Sequence, residues 1–420
     1  YYSRPEEISV NEIAAAQAAT EAKYQKLNCR LMSLTDTLKV LQEDDKIQDR
    51  AAGWRNFNLK KTDPEAQQDA LADARSGNWR NGFGYTFSRF NKQKKRLFFP
   101  MPFPLMILEA QYYNPFLKAI QNSLRIEKHN SPFVFWADKI GFDPMFDEIV
   151  TPLCKGYDPS HFIFVQRDFE KMDTTTGFSQ TRNMFIPKLA SAFGIKRGSR
   201  AYSTMEDLFY FGATCPIATP EGMYTGYRGK ASGATTTNGD ETADNETFNE
   251  VWLQELAKLV KAQFEYKVVC SHGNGDDGFT LFYLYDMNCS SKFKEYIAQA
   301  ANAAAKKFKF RVQGDKWFIS DTYGLYCQRM VAWKNNEMWN AYPATLILNS
   351  IINPEKEYSP TDWDKDYRDI DIIEKLDNGA NLEYFHELVD FVDNGMKYHL
   401  LGTDEKELHR ILSKYERYRA

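Results

Sequence analysis

Tyr266 to Tyr285 reads YKVVCSHGNGDDGFTLFYLY. Two apolar runs rich in valine, tyrosine and phenylalanine flank a short polar turn, and these residue types favour strands. Glycine and asparagine in the turn supply the positive φ values that a tight reversal needs. The stretch therefore predicts a β-hairpin with two neighbouring carboxylates, Asp276 and Asp277, at its tip. A solvated turn is the simple interpretation, and a site for divalent cations is the functional one.

The hairpin alone cannot build a metal site, because a hard cation takes oxygen ligands from several positions. A second source of carboxylates follows residues 161–166, HFIFVQ, which predict a buried strand. Asp168 lies just after that strand, and Asp173 follows five residues later. If the chain turns there, both side chains face the cleft at the hairpin tip. Capping of a following helix is the alternative role for Asp168.

The composition suits a large globular protein. The chain has 420 residues, 43% of them apolar, which is enough for two or three domains or subdomains. The longest apolar run, 97–108, contains three prolines, so we expect no membrane span. The six cysteines lack metal-binding spacing, and we expect reduced thiols. Because the sequence starts with Tyr1 rather than methionine, we expect that residues precede it.

Charge gives a mixed indication. The net charge of −4 argues against a simple nucleic-acid binder, although an acidic protein can enclose a basic channel. A basic cluster at 89–96 runs into the apolar segment 97–100, and such clusters are usually solvated. Strand alternation would place Lys94 and Arg96 on one face, where two fixed cations can grip a triphosphate.

Residues 222–239, GMYTGYRGKASGATTTNG, form a glycine-rich stretch that leads into a helix-like segment from Asp240. A glycine-rich loop before a helix presents main-chain N–H groups to an anion or a ribose phosphate. A flexible linker is the alternative, but it does not explain the concentration of hydroxyl side chains. Elsewhere, the pattern predicts helices over 8–50, 103–126 and 291–309, a second hairpin over 316–333 and a mostly helical chain from Asn335.

The ordered set of pieces resembles a viral RNA-dependent RNA polymerase, most similar to the picobirnavirus and partitivirus group of double-stranded RNA viruses. The resemblance covers about residues 89–333. Motif A of that family matches DFEKMD at 168–173, motif B matches SGATTT at 232–237, and motif C matches Gly-Asp-Asp at 275–277. Motif F matches the basic strand and motif E falls at 323–330.

The resemblance implies a role for each matched residue. Two Mg²⁺ ions, which Mn²⁺ can replace, would be held by Asp168, Asp276 and Asp277, and Lys94 and Arg96 would bind the triphosphate of an NTP. The motif B residues Ser232, Gly233 and Thr237 would line the substrate. Asp173 would test for the ribose 2′-hydroxyl together with Glu241 or Asn245, and the amide that many relatives carry at the first of these positions is replaced here. A motif D lysine would protonate pyrophosphate; the choice lies among Lys306, Lys307 and Lys309, with Lys307 taken as the candidate.

The fold implied is an α+β right-hand polymerase, with a small antiparallel palm sheet and mostly helices elsewhere. Residues 51–157 and 181–222 would form the fingers, 158–180 and 223–333 the palm, and 334–420 the thumb, with 1–50 as a helical bridge from fingers to thumb. The implied partners are template and product RNA and NTPs, with a capsid protein as a further candidate. We expect a monomer that does not bind membranes and works in the virion interior and the host cytoplasm.

Two other functions compete with this interpretation. A reverse transcriptase or another palm-fold nucleotidyltransferase would share the acids, but reverse transcriptases lack the second acid at Asp173 and favour an aromatic gate there. A non-catalytic RNA-binding structural protein with a degenerate site is the other alternative. The presence of every expected acid, in order, argues against it.

Overall fold

The computed structural model describes residues 7–8, 10–43, 50–91, 94–170, 172–231, 233–261, 263–312, 317–353 and 365–394. For residues 88–91, 94–96, 173 and 365–370 it describes the backbone only. Ser232 and the side chains of Lys94, Arg96 and Asp173 therefore lie outside the described part of the chain.

The strands in the described residues form four small sheets. In chain order they are β1 (Gly84–Tyr85), β2 (Phe87–Asn91), β3 (Lys94–Phe98), β4 (Phe162–Arg167), β5 (Ile217–Thr219), β6 (Gly222–Tyr224), β7 (Tyr266–Asn274), β8 (Asp277–Leu284), β9 (Phe318–Ser320), β10 (Gly324–Tyr326), β11 (Arg329–Lys334) and β12 (Glu337–Ala341). The central sheet has the order β7-β8-β4-β9 and is antiparallel throughout.

Helices make up most of the remainder. In chain order the α-helices are α1 (Val10–Ala22), α2 (Leu34–Glu43), α3 (Pro64–Ser76), α4 (Phe103–Glu127), α5 (Phe142–Pro144), α6 (Thr151–Cys154), α7 (Met172–Thr175), α8 (Phe178–Gln180), α9 (Ile186–Ala192), α10 (Arg200–Thr214), α11 (Thr237–Val260), α12 (Ser290–Phe308), α13 (Ala344–Ile352), α14 (Lys365–Asp377) and α15 (Phe385–Asn394). Among the helices that the structure describes, none is both long and apolar enough to cross a membrane.

The central sheet is covered on both faces, which explains why β4 is almost continuously apolar. Ile163 and Val165 pack into a core with Trp252 of α11 and residues of α12. Phe162 and Phe164 face a second core that includes Phe135 and residues of α4 and α9. The edge of the sheet that carries the acids is therefore held rigidly by close-packed cores on both faces.

Two of the predicted helices are close to the observed ones, and one is divided. The predictions over 103–126 and 291–309 are confirmed by α4 and α12. The predicted helix over 8–50 is interrupted because the 3₁₀ turn after α1 ends at Leu27, where Asn28 adopts a left-handed φ of 47°. The helix resumes only at Leu34.

The second predicted hairpin is also more complex than the sequence indicates. β9 joins the central sheet, whereas β10, β11 and β12 form a separate antiparallel sheet. The predicted palm–thumb boundary at 333/334 falls inside the β11–β12 pair, so the sheet continues to Ala341. The two asparagines at 335 and 336, both with positive φ, make this extra hairpin possible.

Candidate active site

The hairpin tip is tighter than the sequence predicts. β7 and β8 stay paired as far as Asn274 opposite Asp277, which leaves Gly275 and Asp276 as the turn. Gly275 has a φ of 61°, a conformation that glycine adopts without strain. Asp276 therefore lies exposed at the apex, and Asp277 begins β8 half-buried.

The end of β4 lies beside this tip. The β4–β8 register ends with Arg167 opposite Gly278, so the next pair in the same register is Asp168 opposite Asp277. Residues opposite each other in an antiparallel pair have Cα atoms about 4.5–5.5 Å apart and side chains on the same face. The fold thus brings together two acidic segments that are more than a hundred residues apart in the chain.

The carboxylates do not form a closed metal cage. Among the residues that the structure describes, no group of three His, Cys, Asp or Glu side chains is arranged to hold a metal ion. Partial burial and the negative charge of Glu170 raise the pKa of Asp168, although the N–H of Phe169 opposes them.

Side chains in the first half of α11 form hydrogen bonds with the main chain of the β7–β8 turn. The Nδ2 of Asn245 donates to the carbonyl oxygens of Gly275 at 3.1 Å and Asp277 at 2.9 Å. The N–H of Gly275 donates to Oγ1 of Thr242 at 2.9 Å. These three bonds fix the main chain of the tip, so the acids are mounted on a rigid support.

Comparisons with known proteins agree with this arrangement. No family model matches the sequence, and no curated protein matches it. Among solved structures, the chain is similar to the RNA-dependent RNA polymerase of a human picobirnavirus, with a TM-score of 0.70, 17% identity and coverage of 99% of this chain and 75% of that one. An insertion-loop deletion mutant of a human picobirnavirus polymerase gives a TM-score of 0.72 at 16% identity, with 99% and 77% coverage.

The chain has the fold of viral RNA-dependent RNA polymerases. The predicted right-hand α+β fold is therefore confirmed, as is the resemblance to the picobirnavirus polymerases at the level of fold. The assignment of the central sheet to the palm, and of motif C to the tip of β7 and β8, stays a prediction.

The loop predicted as motif B, of which the structure describes residues 233–237, packs against the basic ribbon formed by β2 and β3. Gly233 has a φ of 121°, and a Cβ there would lie 2.8 Å from the ring of Phe98 and 2.9 Å from the carbonyl oxygen of Phe99. Thr237 closes the loop by donating from Oγ1 to the carbonyl oxygen of Ala231 at 2.8 Å. Glycine is therefore required at 233 so that the loop can approach Phe98 and Phe99 closely. The hydroxyl of Thr237 bonds within the loop itself.

The two candidates for ribose recognition differ in their surroundings. Asn245 is fully buried and uses its amide nitrogen on the hairpin, while its Oδ1 has no hydrogen-bond partner among the described residues. The carboxylate of Glu241 is also buried and lies 3.4 Å from the position of a Cβ on Gly275. The choice between them as the partner of Asp173 stays a prediction.

Sequence reasoning missed Lys139, whose side chain contacts the end of β7 and the start of α11. Its Nζ donates to Oδ2 of Asp138 at 2.8 Å, Oδ1 of Asn238 at 2.7 Å and Oδ1 of Asn274 at 2.8 Å. Three bonds use the full donor capacity of an ammonium group. Lys139 therefore ties motif C, through Asn274, to the start of α11. No sequence signal connects it to the tip, because 135 residues separate it from Asn274.

A buried ion pair holds the other side of the motif B loop. Lys230 Nζ lies 2.9 Å from Oδ1 of Asp240 and 2.7 Å from Oδ2 of Asp244. Burial opposes its charge, but the two carboxylates outweigh burial and raise the pKa of Lys230. Burial raises the pKa of Asp244, and the negative charge of Asp240 acts in the same direction, whereas Lys230 opposes them. Thr181 adds a hydrogen bond to Asp240 at 2.6 Å.

A buried carboxyl group lies behind the same loop. Glu109 of α4 is 2% exposed, and its Oε1 is 3.0 Å from the position of a Cβ on Gly212. Burial raises the pKa of Glu109 to about 8, and the charge of Asp240 acts in the same direction. The raised pKa favours the neutral carboxylic acid over the carboxylate.

The structure does not bring Lys307 to the acids. Its Nζ lies 2.7 Å from Oε1 of Glu255 in an ion pair between α12 and α11. Glu255 lies ten residues beyond Asn245 on α11, which is about 15 Å along the helix axis. Lys309 directly precedes Phe310, whose ring centroid is 5.5 Å from that of Phe169, the residue after Asp168. The choice of Lys307 as the motif D lysine stays a prediction, with its ammonium paired with Glu255 in this structure.

The basic ribbon has the predicted strand form. β2 and β3 are antiparallel, with Asn91 opposite Lys94 and Arg89 opposite Arg96. Alternation places Lys94 and Arg96 on one face of β3.

Proposed function

We propose that the protein is an RNA-directed RNA polymerase that copies and transcribes the RNA of a double-stranded RNA virus. The observation that carries the proposal is the position of Asp168 beside Asp277 at the tip of β7 and β8, within a polymerase fold. Acids on adjacent strand ends suit nucleotidyl transfer, in which a 3′-oxygen attacks the α-phosphate of an NTP.

The donor set fits hard divalent cations, because Asp168, Asp276 and Asp277 offer carboxylate oxygens from rigid strand ends. When bound there, two Mg²⁺ ions, or Mn²⁺ in their place, would stabilise the attacking and leaving oxygens. Asp168 and Asp276 would be the main ligands, and Asp277 would be auxiliary. The exposure of Asp168 and Asp276 supports this assignment, since both carboxylates are accessible to solvent.

The other proposed roles concern the nucleotide. Lys94 and Arg96 would neutralise the triphosphate, because guanidinium and ammonium groups form strong charge-assisted bonds with phosphate. Asp173, with Asn245 or Glu241, would test for the 2′-hydroxyl that separates NTPs from dNTPs. A lysine at the end of α12 would protonate the leaving pyrophosphate.

The proposed organisation and setting follow from the same function. Residues 51–157 and 181–222 would act as fingers, 158–180 and 223 to about 341 as palm, and the remainder as thumb, with 1–50 bridging fingers and thumb. Template RNA, product RNA and NTPs would be the ligands, and a viral capsid protein a possible partner of a monomeric enzyme. The enzyme would act inside the virion and in the host cytoplasm.

The test is incorporation of labelled NTPs on a single-stranded RNA template, with and without a primer, in Mg²⁺ and in Mn²⁺. We expect template-length products that require a divalent cation and disappear in Asp168→Asn. Parallel reactions with dNTPs distinguish a reverse transcriptase, which would prefer them. Absence of products under all these conditions, or products that persist unchanged in Asp168→Asn, would overturn the proposal.

A further inference from the structure

Arg167 lies immediately before Asp168 and is completely buried. Its guanidinium is enclosed by two aromatic rings, with the ring centroids of Phe135 at 5.6 Å and Trp252 at 5.4 Å. Such stacking suits the planar guanidinium and restricts its rotation.

The guanidinium connects three elements that surround the acids. Nη1 donates to Oγ1 of Thr280 on β8 at 2.7 Å, to Oγ of Ser271 on β7 at 3.1 Å and to Oδ1 of Asn249 on α11. Nη2 donates to the carbonyl oxygen of His272 on β7 at 2.9 Å. One side chain from β4 therefore fixes both strands of the motif C hairpin and the helix beneath it.

Gly278 makes this arrangement possible. A Cβ at that position would lie 2.4 Å from Nε and 2.7 Å from Nη2 of Arg167, which is closer than atoms can approach. Gly278 follows Asp277 and is the register partner of Arg167, which precedes Asp168. The arginine and the glycine are thus a matched pair directly behind the two acids.

The charge of Arg167 has no acidic partner in the described part of the chain, where its hydrogen bonds go to hydroxyl, amide and carbonyl oxygens. Burying a cation without a paired anion is costly. The hydrogen bonds that join β4 to the hairpin and to α11 offset this cost, and an apolar side chain of similar size could not make them.

We propose that Arg167 is a positioning residue for the metal-binding acids: its fork of hydrogen bonds sets the spacing and orientation of Asp168 and Asp277 so that both carboxylates meet the same divalent ions. This inference rests on the proposed polymerase function. This role requires the planar arrangement of N–H donors on the guanidinium as well as its charge. A lysine ammonium cannot reach acceptors on β7, β8 and α11 in one plane.

The test compares three variants of the full chain. Arg167→Lys keeps the charge and loses the fork, Arg167→Met keeps much of the volume, and Thr280→Val removes one acceptor with little change in shape. Arg329→Lys is the matched control, because Arg329 is also buried, bonds Asn340 and Asn378 and stacks on two aromatic rings, and none of these partners contacts Arg167 in the described residues.

The main readout is Mn²⁺ binding, measured from the spectroscopic signal of free Mn²⁺, which does not depend on catalysis. Loss of a supporting partner of a metal ligand typically weakens metal binding or activity by about 10- to 100-fold. We expect that loss for Arg167→Lys and Arg167→Met, about threefold weaker binding for Thr280→Val by the loss of a single hydrogen bond, and wild-type binding for Arg329→Lys. The NTP KM should change little, whereas kcat should fall with metal affinity.

The outcomes separate the positioning role from the proposed function. Wild-type Mn²⁺ affinity in a folded Arg167→Lys, or an equal loss in Arg329→Lys, would overturn the inference. If both Arg167 variants fail to fold, unchanged Mn²⁺ binding in Thr280→Val overturns it, and weakened binding supports it. If the wild-type chain binds Mn²⁺ and Arg167→Lys does not, but neither incorporates NTPs, the polymerase proposal fails and the positioning role stands.

Discussion

Asn245 donates its side-chain amide to the main-chain oxygen of Asp277 at 2.9 Å. A residue that the motif pattern assigns to ribose recognition therefore also supports the motif C turn. Because the second hydrogen bond goes to Gly275, the amide nitrogen is used fully on the main chain.

We expect Asn245→Ala to lower the free energy of unfolding by about 2–3 kcal/mol, because two buried carbonyl oxygens lose a donor. Polymerase activity should fall by roughly 10- to 100-fold as the acids lose their support. If the residue only supports the turn, NTP and dNTP incorporation will fall by the same factor. A selective gain in dNTP use would instead assign it to ribose recognition. Asn302→Ala, at an exposed position of α12, is the control.

Asp276→Ala should abolish nucleotide incorporation, by at least about 1000-fold, because a main metal ligand is lost. The thermal unfolding midpoint should stay near that of the wild type, since Asp276 is exposed at the apex of the turn. Glu265→Ala, at the opposite end of the hairpin and also exposed, is a matched acidic control. Retention of most activity in Asp276→Ala would remove Asp276 from the site.

Asp173→Ala should relax the preference for NTPs over dNTPs. Loss of one hydrogen bond to a charged group corresponds to about 1.5–3 kcal/mol, or roughly 10- to 100-fold in the ratio. Single-nucleotide incorporation with matched NTP and dNTP pairs measures it. An unchanged ratio would reject this role for Asp173.

Lys139→Met should destabilise the protein by about 3–5 kcal/mol, because it leaves the Asp138 carboxylate buried without its cation. Burial already raises the pKa of Asp138 despite the neighbouring Lys139. The double variant Asp138→Asn with Lys139→Met should recover much of the loss in urea unfolding. A double variant no more stable than Lys139→Met would show that the charge of Asp138 is not the cause.

Glu109→Gln should change how stability depends on pH. The pKa of Glu109 is raised from 4.5 to about 8 in the folded chain, so its stabilising effect is complete below pH 4.5 and is lost as pH rises through 8. Relative to the wild type, the glutamine variant should therefore gain about 3–5 kcal/mol between pH 4.5 and pH 9. Urea unfolding at pH 5, 7 and 9 measures this, with Glu127→Gln as an exposed control on the same helix. A constant difference between the two chains would contradict the prediction.

Local signals in the sequence are sufficient to predict the hairpin, α4 and α12, because residue type and periodicity determine these elements over short stretches of chain. The pairing of Asp168 with the hairpin could be predicted only through the motif order, which implies a shared sheet. Lys139 could not be predicted, since its partner Asn274 lies 135 residues away and nothing local marks the contact. The same holds for Arg167, whose bond to Thr280 spans 113 residues.

Lys307 shows a second limit to what can be predicted from the sequence. A lysine at the end of an alanine-rich helix fits both a catalytic acid and an ordinary surface ion pair, and only the packing of α12 on α11 shows that it meets Glu255. Asn28 is similar, because its left-handed conformation divides a helix whose apolar spacing continues on both sides.

The contact of Gly233 with Phe98 couples two parts of the site mechanically. Because the loop at Gly233 is in contact with Phe98 at the end of β3, the loop and the basic ribbon cannot move toward each other unless one displaces the other. Under the proposed function, an anion that drew the ribbon inward would also displace the apex of the loop, so that arrival of a phosphate tail and adjustment of the sugar pocket would be a single movement.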